Sequence, residues 1–99
     1  MNSCETALLI IDMQRDFVMA GSLLCVAGAA ATVPAIAALL ECCRHDGNIA
    51  IFHVIREYDS SGIDLERSRL QQFQGVPGAV RGTPGAEIVP EIRPLQGEM

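Results

Sequence analysis

The sequence predicts a parallel α/β protein whose first βαβ portion is carried by this chain. Three observations lead there. Two short apolar runs, TALLIID over residues 6–12 and IAIFHVI over residues 49–55, have strand length and a β-branched composition. Between them lies a stretch with helical spacing of its apolar residues. The composition is 49% hydrophobic but only 4% aromatic, so Ala, Val, Ile and Leu carry the apolar load. Buried parallel strands and close-packed helices are built from those residues, and they expect covering layers on both faces. A chain of 99 residues has room for one core. Part of its apolar surface is therefore expected to meet something outside these residues.

Taken in order, the first run ends in Asp12, and the polar segment after it favours a buried strand over a buried helix. Met13 to Gly28, punctuated by Gly21 and Gly28, reads as a loop wrapping over the strand end. Thr32 is the expected N-cap of a helix that tolerates Pro34 in its first turn. Its apolar stripe is Ile36, Leu39, Leu40 and Cys43, and it stops near His45, with Asp46-Gly47-Asn48 as the turn. The helix crossover makes the second strand, Ile49–Ile55, parallel to the first and the connection right-handed. From Arg56 to Gly82 the sequence is charged and Gly-containing, too long for an ordinary connection, and is expected to be a functional excursion. Thr83-Pro84 predicts a short helical turn through Ile88. Pro94 to Met99 reads as the approach to a third strand.

The net charge is −5, with seven arginines, no lysine and no basic cluster, which argues against nucleic-acid and anionic-membrane partners. A small-molecule substrate or a protein partner is left. No apolar run approaches the ~20 residues of a membrane span, and the N-terminus lacks a basic region, so a cytoplasmic protein is expected. The four cysteines, Cys4, Cys25 and the vicinal Cys42-Cys43, fit neither a disulfide framework nor a zinc site. They read as incidental thiols.

Asp12 is the first candidate for chemistry, because an acid at the carboxyl end of a buried parallel strand lies where open α/β sheets bind ligands. A structural acid capping the following loop would look the same. Phosphoryl transfer through a second acid two residues on is disfavoured, since that position is Gln14. A receiver-type acidic pair is also missing. The remaining chemistry uses the carboxylate as general base for a cysteine nucleophile supplied from elsewhere in the sheet.

The string Leu8-Leu9-Ile10-Ile11-Asp12-Met13-Gln14-Arg15-Asp16-Phe17 closely resembles the opening of the isochorismatase-like cysteine hydrolases. The resemblance continues through Gly21-Ser22-Leu23 and returns in Arg81-Gly82-Thr83-Pro84-Gly85-Ala86-Glu87-Ile88. It implies a three-layer αβα Rossmann-like parallel sheet and an Asp-Lys-Cys triad in which Asp12 is the acid. Residues 1–99 would then be the N-terminal half of such a domain. The chain has no lysine, and its cysteines lie too early or inside the helix, so the triad's Lys and Cys are expected from sequence outside it, in a C-terminal half or a second chain. Phe17 matches an aromatic that lines the substrate pocket in this family; an anchoring core Phe is the other reading.

Asp16 is expected to fix the loop through backbone N–H groups. The nicotinamidase branch binds an ion through an Asp-x-His pair near the second strand. The residue two before His53 is Ile51, so no metal and no other cofactor is expected, and His53 reads as a satisfied strand-end histidine. Arg56, Tyr58 and Arg81 read as solvated surface that could meet an anionic or polar substrate. The expected activity is hydrolysis of C–N bonds in small amides, ureides or carbamoyl compounds by a homo-oligomer. The alternative is a non-catalytic fragment or protein-interaction module.

Overall fold

The computed structural model describes residues 5–22, 24–61 and 78–99. Two strands, β1 (Thr6–Ile11) and β2 (Ile49–Val54), pair in parallel, with Thr6 opposite Ile49 and Ile11 opposite Val54. Each element comes from the apolar run that predicts it. Alternation along the strands sorts their side chains onto two faces. Leu8 and Ile10 of β1, with Ile49 and Ile51 of β2, join Val33, Leu40 and Cys43 in one core. The other face is bare: Leu9 is 52% exposed, Ile11 55% and Val54 41%.

A short helix α1 (Arg15–Val18) and a long helix α2 (Ala29–Asp46) lie between the strands. The helix α1 interrupts what the sequence predicts as plain loop. Four residues carry too little of a helical period to show in sequence, yet they bury Phe17 and Val18. Helix α2 begins at Ala29, four residues before the start that a Thr32 N-cap implies. Its N-cap is Gly28, in the left-handed conformation, and the Thr32 hydroxyl donates instead to the Ala29 carbonyl at 2.6 Å. Pro34 consequently falls in the second turn, where its ring nitrogen leaves the Ala30 carbonyl without the usual helical donor. Leu39, expected in the buried stripe, is 51% exposed. The helix stops as predicted, at Asp46, with Gly47 at φ 74 supplying the left-handed turn that a side chain would resist.

Beyond β2, Tyr58 and Val80 form a parallel bridge that closes the base of the 56–82 excursion. Residues 62–77 of that excursion lie outside the described residues. Pro84–Ala86 forms one 3-10 turn, shorter than predicted, and Pro90–Ile92 forms a second that the sequence reading does not contain. Ile92 is fully buried in the core with α2. Ile88 bridges Gln14 in antiparallel sense, which lays the segment after the first turn along the loop that leaves β1. The Met99 N–H donates to the Ile51 carbonyl at 3.0 Å, so the terminal segment meets β2. Among the described residues no helix is long and apolar enough to cross a membrane.

Candidate active site

Asp12 follows directly on β1. Its N–H donates to the Val54 carbonyl at 2.9 Å, extending the strand pairing by one residue, and its backbone then turns to φ 60. Among the described residues, two non-glycine residues take positive φ, the other being Ala79 at φ 51. Such conformations are costly for a residue with a side chain and collect at functional positions. The turn leaves the Asp12 side chain 34% exposed, with Arg56 Nε 3.4 Å from Oδ2.

Gln14, two residues on, is completely buried. Its Nε2 donates to the Arg56 carbonyl at 2.6 Å and the Ala86 carbonyl at 2.8 Å, and its Oε1 accepts the Arg56 N–H at 2.9 Å. One amide therefore joins the ends of both strands to the first 3-10 turn. Arg56 in turn donates from Nη1 to the Tyr58 hydroxyl at 3.2 Å. The surface reading fails for Tyr58, which is buried at 7% exposure because its backbone is bridged to the base of the excursion. It holds for the Arg56 side chain, which is 38% exposed, although the backbone of Arg56 is fixed by a buried amide. It holds for Arg81, 65% exposed and 3.8 Å from Glu57.

Asp12 and Arg56 stand at one side of a cleft of about 460 Å³ whose apolar wall includes Ile11, Phe17, Leu24 and Val26. Phe17 is thus both a core residue and a cleft residue. Cys25 borders the same cleft, its thiol near the Val18 carbonyl at 3.9 Å, and with Cys42 and Cys43 it is a free thiol. Asp16 accepts the Ala79 N–H at 2.7 Å, the backbone-fixing role expected of it. The same carboxylate lies so close to Gly85 that any side chain there would overlap it.

His53 projects to the helix-covered face. Its Nε2 is 2.8 Å from Glu98 Oε1, and Arg44 grips the same carboxylate from Nε at 2.6 Å and Nη2 at 2.9 Å. The Leu95 N–H adds a further bond to Oε1. Glu98 is held at a pKa of about 2, chiefly by the Arg44 bond, with burial opposing and the Leu95 N–H and His53 assisting. His53 Nδ1 is buried with no partner among the described residues.

The isochorismatase domain model matches residues 6–99. The chain belongs to the isochorismatase family. It is 47% identical to an isochorismatase family protein from Desulfovibrio vulgaris, whose crystal structure it matches with a TM-score of 0.87 over 99% of this chain and 51% of that one. A pyrazinamidase of Pyrococcus horikoshii, solved in complex with zinc, is 29% identical at a TM-score of 0.70, over 95% of this chain and 48% of that one. A probable inactive nicotinamidase of Arabidopsis thaliana is 40% identical over 86% of this chain and 44% of its own length. The chain thus spans about half the length of the isochorismatase-family relatives it matches.

Within this isochorismatase-family frame, the described residues do not fit a metal ion. They contain no group of three or more His, Cys, Asp or Glu side chains arranged to hold one. His53 spends its Nε2 on a carboxylate already bound to an arginine, and Asp12 faces Arg56. Sequence reasoning brings Asp12 and Phe17 to one cleft but misses Gln14 and Arg56 as its framework. The available signal for Gln14 is a polar residue inside the family string. Arg56 carries none, since its place depends on a side chain 42 positions away.

Proposed function

We propose that this chain supplies one wall and the general base of a cysteine hydrolase that cleaves C–N bonds in small amides, ureides or carbamoyl compounds. The observation that carries the reading is Asp12, turned out of the strand end at positive φ into a cleft lined by Phe17. A second segment, in the same polypeptide or a separate chain, contributes the nucleophilic Cys and the Lys, neither of which this chain offers in place. The thiol gives its proton to Asp12 as sulfur attacks the carbonyl carbon. The C–N bond breaks as that proton passes to the leaving nitrogen, and water then releases the acyl group from sulfur. The Lys stabilises the anionic state. Phe17 forms an apolar wall of the cleft for the substrate. No step is routed through a metal. The active form is a homo-oligomer in the cytoplasm.

Support comes from the pyrazinamidase above. In the two-segment domain, Asp12→Asn keeps the shape of the side chain but cannot take the thiol proton. Turnover should fall by about 10²–10⁴-fold with the fold intact. Near-normal turnover in that variant removes Asp12 from the role.

A second reading is favoured by one observation: the Arabidopsis relative bears the name of a probable inactive nicotinamidase. Under it the chain is a non-catalytic interaction module. A second segment that covers the bare sheet face but brings no Cys to Asp12 would decide for this reading.

A further inference from the structure

Arg56 is held more firmly than a solvated arginine requires. Its N–H and carbonyl are both bonded to the amide of the fully buried Gln14, at 2.9 and 2.6 Å. Its Nη1 donates to the hydroxyl of the buried Tyr58 at 3.2 Å. These bonds set a guanidinium beside a cleft whose wall includes Phe17, Leu24 and Val26. Nε faces Asp12 Oδ2 at 3.4 Å, longer than the ~2.7–2.9 Å of a strong charge-assisted bond, and both side chains are partly exposed. A pair of that kind is weak. A guanidinium meets a free carboxylate in a planar fork with better geometry.

We propose that Arg56 selects the substrate: its guanidinium, fixed by Gln14 and Tyr58, binds a carboxylate on a substrate whose apolar part occupies the cleft, taking the place of its pair with Asp12. The inference rests on the hydrolase reading for the word substrate and deepens it by naming the substrate class, an amide or carbamoyl compound that also carries a carboxylate. Exchange of partners leaves the Asp12 oxygens to the thiol proton. The base is then freed when a matching molecule is seated.

Benzoate and benzamide test this, because they share a ring and differ in charge. Both are titrated into the 99-residue chain, kept in solution by an N-terminal fusion domain, with ¹⁵N-arginine NMR spectra as readout and spectral dispersion as the check of folding. Benzoate should bind at least about tenfold tighter than benzamide, with the Arg56 Nε–H signal moving most, and the preference should shrink as salt is raised. Arg56→Gln should erase the preference by weakening benzoate alone, Arg56→Lys should keep part of it, and Asp12→Asn should tighten benzoate severalfold by removing the competing carboxylate. Equal binding of the two probes, or a preference that survives Arg56→Gln, overturns the proposal. Since no turnover is read, a preference for benzoate alongside an inactive two-segment domain would sink the hydrolase reading and spare this one.

Discussion

The two faces of the two-stranded sheet carry similar side chains and end differently. On the covered face, Ile10 and Ile51 are buried with Leu40 and Ile92, and the Arg44–Glu98–His53 cluster ties the terminal segment down. On the opposite face Leu9, Ile11 and Val54 stand 41–55% exposed. Burial of such a side chain contributes roughly 1.5–3 kcal/mol, so the bare face forgoes several such contributions. The difference teaches that the pattern of the strands suits two covering layers, of which the described residues supply one. Asp12, at the end of β1, sits where the covered and bare regions meet.

The largest expected effect breaks the comparison outright. Expressed alone, residues 1–99 should show no hydrolase activity and poor solubility, because a bare apolar face and an open strand edge are aggregation templates. Adding the second segment as a separate chain should restore both together, since the pairing that covers the sheet also brings the Cys to Asp12. A soluble, monomeric chain active on an amide after all four cysteines are changed to serine would end the half-domain reading.

Between the two regions stands Gln14, and Gln14→Leu tests whether it joins them. The substitution leaves the Arg56 N–H and the Arg56 and Ala86 carbonyls without their bonds to the side chain. Leaving buried groups unpaired costs about 1–3 kcal/mol each, so a loss of about 3 kcal/mol in urea unfolding is expected. A loss under about 1 kcal/mol would show that the strand ends are held by other means.

The covered face should be acid-sensitive in a definite window. Glu98 sits at a pKa of about 2 in the fold against an ordinary 4.5. Its folded value is depressed, so its contribution is fully present above 4.5 and is lost as pH falls toward 2. The ceiling is about 3 kcal/mol, reduced by whatever solvent screens the pair. Urea midpoints measured down that range should decline, and Glu98→Gln should flatten the decline. An unchanged slope in the variant would show that other carboxylates set the acid limit.

Much of this was legible in the sequence. Both strands, the end of α2 at Gly47 and the place of Asp12 followed from apolar runs and turn residues, which act locally. The start of α2 did not, because Gly28 entered the helix through a left-handed turn and Thr32 bonded inward to Ala29. Tyr58 was misjudged as surface, and the fixed backbone of the exposed Arg56 was missed, for a different reason. What fixes them is Gln14 reaching across from the end of β1 and a backbone bridge to Val80, and neither leaves a local trace. Leu39 joined the predicted stripe by spacing alone, and it stands 51% exposed.

The smallest expected effect is none at all. Treating the two-segment domain with a chelator should leave turnover unchanged, and the argument starts from the histidine. A neutral imidazole nitrogen is what an ion would need, but His53 Nε2 lies 2.8 Å from Glu98, whose other oxygen is 2.6 Å from Arg44. Freeing it for a metal would break the cluster that holds Pro94–Met99 against the covered face. Asp12, the other acid within reach of chemistry, faces the guanidinium of Arg56, a neighbour that repels a cation. The residue two before His53 is Ile51, which is in the core and offers no ligand. Recovery of chelator-killed activity by added zinc would mean that the second segment or residues 62–77 bring the missing ligands, and that the site at the strand ends is built around an ion after all.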